Sequence, residues 1–128
     1  MGEKKNILII DDDPDFTQMV AIMLERKGHR TFTATNLKQV ENHIFFAINQ
    51  NVPIDLVLLD IMMPEYSGYE VMDYLQVYLY PLPPVIMITA LSGIEEYIKA
   101  IEKGVDGYLT KPITSEQLVE TMGRVLVH

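Results

Sequence analysis

The sequence contains no cysteine, which excludes disulfides, thiolate metal sites and cysteine nucleophiles and fits a cytoplasmic protein. It also lacks any apolar run near the roughly 18 residues that would signal a membrane span. The opening Met1-Gly2-Glu3-Lys4-Lys5-Asn6 leads directly into a strand-like run, with no signal core or small-residue cleavage site. Neither membrane insertion nor secretion is expected. Basic residues are scarce: 10 Lys and Arg face 18 Asp and Glu, for a formal net charge of −8. Such a chain repels a phosphate backbone, so no direct nucleic-acid contact is expected. His29, His43 and His128 have spacings that suit neither a helical metal pair nor a catalytic triad, and they are read as surface or packing residues. Internal repeats, low-complexity tracts and Gly/Ser linkers are absent. The expectation is one domain over residues 1–128, with no output domain in this chain.

What the chain does have is a set of short, nearly continuous apolar runs at 7–10, 56–59 and 85–88. They lack the alternation of a half-solvated strand and read as strands buried on both faces, the pattern of a parallel sheet. Amphipathic stretches lie between them, such as Leu37, Val40, Ile44 and Ile48, or Leu118, Met122, Val125 and Leu126. Helix starts are signalled by Asp13-Pro14 and by three capping-box patterns, Ser67-x-x-Glu70, Ser92-x-x-Glu95 and Thr114-x-x-Gln117. Gly28 and Gly104 mark helix ends. Five βα units follow, with a short polar second strand near Thr31–Thr35 at an edge. The predicted fold is α/β, a doubly wound (βα)5 five-stranded parallel sheet in the flavodoxin-like order 2-1-3-4-5.

In that order strands 1 and 3 are neighbours, and their carboxyl ends flank the topological switch point, where open α/β sheets place ligands. Asp11 and Asp12 end the first run and Asp60 ends the third. Thr89-Ala90 ends the run at 85–88, and Lys111-Pro112 ends Gly107-Tyr108-Leu109-Thr110. Clustered carboxylates repel one another, so at least one should have a raised pKa, and a divalent cation removes that strain. Oxygen-only donors favour a hard ion, here Mg²⁺ with Mn²⁺ as a substitute. Asp60 stands alone at its strand end and is the best nucleophile for forming an aspartyl phosphate. Lys111 and Thr89 are placed to neutralise phosphoryl oxygens.

The pair Asp11-Asp12, the run Asp60-x-x-Met63-Pro64-x-x-x-Gly68, Thr89-Ala90 and Gly107-Tyr108-x-x-Lys111-Pro112 together resemble the receiver domain of two-component response regulators, over residues 5–127. The resemblance implies a signalling domain, not an enzyme with its own substrate. Asp60 would take a phosphoryl group, with Mg²⁺, from the phosphohistidine of a histidine kinase or phosphotransfer protein. It also implies that Asp12, Asp60 and the backbone carbonyl of Met62 hold the metal, with Asp11 assisting through water. Thr89, Ala90 and Lys111 would meet the phosphoryl group, and Thr89 and Tyr108 would switch partner binding. The Lys111-Pro112 bond is expected to be cis. The face of helix 4, strand 5 and helix 5, including Glu95, Lys99, Lys103, Tyr108 and Gln117, would receive a downstream protein or a second receiver. A phosphatase of the haloacid-dehalogenase type is disfavoured, because that family carries a second Asp where Met62 stands here.

Two finer expectations concern side chains outside this set. Met62 and Leu91 are apolar positions beside the path of an attacking water and cannot orient it by a strong hydrogen bond, so slow self-dephosphorylation is expected. Tyr66, Tyr69, Tyr74, Tyr78 and Tyr80 cluster around the third helix, and most are expected to cover the sheet. Pro81, Pro83 and Pro84 read as a rigid lead-in to the fourth strand.

Overall fold

In the computed structural model, which describes residues 3–126, strands and helices alternate along the chain: β1 (Asn6–Ile10), α1 (Pro14–Glu25), β2 (Arg30–Ala34), α2 (Leu37–Asn49), β3 (Leu56–Leu59), α3 (Gly68–Tyr78), β4 (Val85–Thr89), α4 (Ile94–Glu102), β5 (Gly107–Thr110) and α5 (Ser115–Val125). The sheet order is β2-β1-β3-β4-β5, and every adjacent pair is parallel. The polar strand β2 is at one edge, one residue earlier than the sequence suggested. Met1, Gly2, Val127 and His128 lie outside the described residues.

Successive strand residues point to opposite faces, and each apolar run supplies two cores. Ile7, Ile9, Leu56, Leu58, Ile86 and Ile88 pack with Val20, Ala21 and Leu24 of α1 and Leu118 and Met122 of α5. Leu8, Ile10, Val57, Leu59, Val85 and Met87 pack on the other side with α2, α3 and α4. Gly107 lets α5 approach β5, because a Cβ there would lie 2.9 Å from the Thr121 methyl.

The Asp13, Ser67 and Thr114 caps form as expected, the last two as reciprocal capping boxes. The Ser92 box does not. Gly93 is the N-cap of α4, with φ 111 and no side-chain cap bond, so the helix starts one residue late and Glu96, not Glu95, takes the third position. Gly28 and Gly104 have φ +94 and +98, the left-handed backbone expected at helix ends. Both Tyr80–Pro81 and Lys111–Pro112 are cis.

The tyrosine expectation also fails. Tyr69 is buried and Tyr74 half-buried, but Tyr66, Tyr78 and Tyr80 are exposed. The inward stripe of α3 runs through Tyr69, Met72 and Leu75, while Tyr66 precedes the helix and Tyr80 follows it. Tyr78 instead meets Phe45 of α2 edge-on, with centroids 5.6 Å apart. On α2 the inward stripe ends at Ala47, leaving Ile48 half exposed. His43 packs on Phe32 and bonds the Thr33 carbonyl, in keeping with a packing role.

Candidate phosphoryl and metal site

The register aligns Ile10 with Leu59, so the residues that follow them are neighbours at the carboxyl edge of the sheet. The Asp60 N–H donates to the Ile10 carbonyl at 3.0 Å, and the Asp11 N–H to the Ala34 carbonyl at 3.1 Å. These backbone bonds fix both aspartates before their side chains make any contact. Asp11 and Asp60 are buried and Asp12 is exposed, and each offers a carboxylate oxygen within 4.8 Å of the others. Three hard oxygen donors at this separation are of the type that a small divalent cation takes.

Lys111 arrives from the far side of the sheet. Its N–H is tied to the Thr89 carbonyl at 2.8 Å, and its ammonium donates to Asp11 Oδ2 at 2.7 Å and Asp60 Oδ2 at 3.2 Å. The same Nζ lies 4.3 Å from the centre of the Phe16 ring. The sequence reading missed Phe16; its signal was an aromatic three residues past the helix cap Asp13, and nothing local links it to a lysine 95 positions later. The ring walls the ammonium on one side and adds a cation–π attraction.

Burial pushes the Asp11 carboxyl above its ordinary range, with the Asp60 charge adding to the effect, even though the Lys111 bond opposes it. Burial alone would lower Lys111, but its bond to Asp11 and the charges of Asp11 and Asp60 outweigh that and raise it. The ammonium therefore stays charged, and the strain among the carboxylates rests on Asp11. This is the raised carboxyl expected from clustering, with desolvation as its larger cause.

Asp60 Oδ1 accepts from the Met62 N–H at 3.1 Å, which orients the carboxylate. The Met62 side chain is 53% exposed and does not pack into the core. Thr89 is fully buried at the end of β4, and its Oγ1 accepts from the Leu91 N–H at 3.3 Å. Ala90 is exposed beside it, and Leu91 packs partly against the core. The Tyr108 hydroxyl donates to the Leu91 carbonyl at 2.7 Å, so β5 is tied to the loop that carries Thr89. Burial, then the charges of Glu96 and Asp60, raise the Tyr108 pKa and keep that hydroxyl protonated as a donor. The structure thus brings Asp11, Asp12, Asp60 and Lys111 into one cluster, with Thr89 and Ala90 ending an adjacent strand.

Along α4, Ile94, Tyr97, Ile98 and Ile101 are exposed and Tyr97 stacks edge-on to Tyr108. These exposed apolar side chains were not among the residues of that face named from the sequence, Glu95, Lys99, Lys103, Tyr108 and Gln117.

Comparison with known proteins agrees with this geometry. The profile of the response regulator receiver domain matches residues 7–123. The phosphate regulon transcriptional regulatory protein PhoB of Pseudomonas aeruginosa is 35% identical over 127 residues, covering 95% of this chain and 52% of that protein. The response regulator protein PilR of the same organism is 32% identical over 123 residues, covering 96% of this chain and 26% of that protein. The chain thus spans about half, or less, of the length of these curated relatives. Among solved structures, chemotaxis protein CheY4 of Vibrio cholerae superposes with a TM-score of 0.82 at 27% identity, covering 97% of this chain and all of that one. A CheY-like receiver domain protein of Methanospirillum hungatei superposes with a TM-score of 0.80 at 27% identity, covering 97% of this chain and 94% of that one. With the sheet order, the acid cluster and the family profile in agreement, this chain belongs to the receiver domains of two-component response regulators, a signalling family whose role is to accept a phosphoryl group.

Proposed function

We propose that Asp60 is the phosphoacceptor, taking a phosphoryl group from the phosphohistidine of a histidine kinase or phosphotransfer protein. The observation that carries this reading is the Lys111 ammonium bonded to both Asp11 and Asp60 at the carboxyl edge of the sheet. A carboxylate oxygen of Asp60 forms the new P–O bond, the P–N bond breaks, and its electron pair returns to the imidazole nitrogen, which takes up a proton. The Met62 N–H and Lys111 orient the carboxylate for in-line attack. Lys111, the Thr89 hydroxyl and the Ala90 N–H then donate to the phosphoryl oxygens.

The oxygen-only set of Asp11, Asp12 and Asp60, joined by the Met62 carbonyl, suits Mg²⁺, with Mn²⁺ as a substitute. When bound, the cation neutralises the charge that builds on the transferred group. The chain catalyses only its own phosphorylation and dephosphorylation, acts as one receiver domain over residues 1–128, and works in the cytoplasm. Among the described residues no helix is long and apolar enough to cross a membrane. The exposed apolar strip of α4, with β5 and α5, receives a downstream protein or a second receiver, and Thr89 with Tyr108 passes on the phosphorylation state. Direct nucleic-acid contact by this domain is opposed by its −8 charge.

The test is intact mass after incubation with acetyl phosphate and Mg²⁺, with Asp60→Asn alongside. One phosphoryl group gained by the native protein alone is the expected outcome. Equal gain by the variant would move the acceptor elsewhere, and no gain by either, with a phosphohistidine donor also failing, would leave a docking scaffold in place of a phosphoacceptor.

A further inference from the structure

At the opposite end of the sheet, a cavity of about 640 Å³ lies between the carboxyl-terminal halves of α1 and α5. Leu24, Val119, Met122 and Leu126 supply its apolar lining. Its charged lining is Lys5, Arg26 and Lys27 against the single carboxylate Glu3. Glu3 is held by Lys5 at 3.6 Å, whereas Arg26 and Lys27 make no ion pair among the described residues. His29 adds a polar wall, its Nδ1 accepting from the Lys5 N–H at 3.1 Å, so its other ring nitrogen remains to donate. Burial, then the Lys5 charge, lowers the His29 pKa and favours this neutral form.

Two features set the cavity apart from an ordinary surface depression. Its volume is in the roughly 300–1,000 Å³ range of small-molecule sites, which pair an apolar lining with a few convergent polar groups. It is also bordered by Gly123, an exposed position in the last turn of α5 where an added Cβ would meet nothing within 4 Å, so the rim there has room for a side chain. On a chain of net charge −8 with only 10 basic residues, three of them converge on one apolar hollow.

We infer that this cavity is a second binding site, separate from the phosphoryl site, for an amphipathic monoanion: a hydrocarbon body carrying one carboxylate. The body lies against Val119, Met122 and Leu126, and the carboxylate meets Arg26, Lys27 and the second ring nitrogen of His29. A more highly charged ligand would gain less, because Glu3 shares the rim and the domain as a whole is acidic. A neutral amphiphile would leave Arg26 and Lys27 unused.

The experiment is titration of the full chain with decanoate below micelle formation, followed by calorimetry and by the amide signal of residue 123, with 1-decanol as the uncharged counterpart. Saturable one-to-one binding of decanoate, tighter than decanol, is expected. Gly123→Leu, which sets a bulky side chain on the cavity rim at a position with room for one, should weaken it several-fold. The double variant Arg26→Gln/Lys27→Gln should weaken it by about fivefold or more, as expected for two rim charges that are partly screened. Circular dichroism checks that both variants fold, and phosphorylation by acetyl phosphate should proceed at the native rate in each. Absence of saturation in the native protein, undiminished binding by Gly123→Leu, or decanol binding as tightly as decanoate would each overturn the assignment.

Discussion

Replacing Gly68 with Ala adds a single methyl group hard against the backbone of Asp60 and Ile61. Gly68 has an ordinary backbone conformation, so the requirement for glycine comes from contact and not from φ. A Cβ there would lie 2.9 Å from Ile61 Cα and 3.0 Å from the Asp60 carbonyl carbon, and closer still to the Asp60 carbonyl oxygen. Carbon atoms prefer about 3.5–4.0 Å, and all three neighbours are backbone, which cannot rotate away. The start of α3 is also held against this loop by the Gly68 N–H, which donates to the Ile61 carbonyl at 2.8 Å. Relief therefore requires the β3–α3 connection to move by about 0.5–1 Å, at the cost of overpacking, about 1–3 kcal/mol. For a domain of this size that corresponds to a melting temperature lower by roughly 3–12 °C. The residue displaced is Asp60 itself, and a misplacement near 1 Å can slow a positioned reaction by about 100-fold. Thermal melting and the initial rate of phosphorylation by acetyl phosphate measure the two effects. Gly123→Ala is the control: it meets no atoms and should stabilise by roughly 0.5–1 kcal/mol through helix propensity alone. If Gly68→Ala melts with the native protein and phosphorylates at its rate, the close-contact reasoning is wrong.

Three further outcomes follow from the site. Asp11 has a raised folded pKa, so its carboxylate form costs stability above that pKa, and the cost vanishes as pH falls below the ordinary 3.8. Asp11→Asn should therefore melt higher than native at pH 7 without Mg²⁺, with the gap narrowing toward pH 4; a lower melting temperature at pH 7 would contradict this. Tyr108→Phe removes the 2.7 Å bond to the Leu91 carbonyl and should lose about 1 kcal/mol in urea unfolding, with a native value counting against that bond. Met62→Asn places an amide beside the path of the attacking water and should shorten the phosphoryl lifetime several-fold, followed by loss of the phosphorylated mass; an unchanged, already fast decay would show that residue 62 does not set the lifetime.

Much of this protein was legible in its sequence because the governing interactions are either local or periodic. The apolar runs at 7–10, 56–59 and 85–88 supply both cores because strand residues alternate faces. Asp13, Ser67 and Thr114 cap the helices they precede because a cap reaches only two or three residues. Sheet order then followed from right-handed crossovers, and with it the meeting of Asp11, Asp12 and Asp60.

What the tertiary structure alone decided depends on contacts between distant segments. The Lys111 bond to Asp11 joins residues 100 apart, and Phe16 becomes the wall of that ammonium only once the segment after β5 reaches the start of α1. Ser92 carries a local cap pattern, yet the β4–α4 loop turns at Gly93 and overrides it. The three tyrosines of α3, Tyr69, Tyr74 and Tyr78, sort into buried, half-buried and exposed by the direction in which the helix faces the sheet, a rotation that composition does not encode. The cavity beside Gly123 likewise forms only where the ends of α1 and α5 meet Lys5 and His29, residues far apart in sequence. Local free energies are set by neighbours in sequence, whereas packing geometry is set by the whole chain closing on one sheet, and only the first of these can be read one residue at a time.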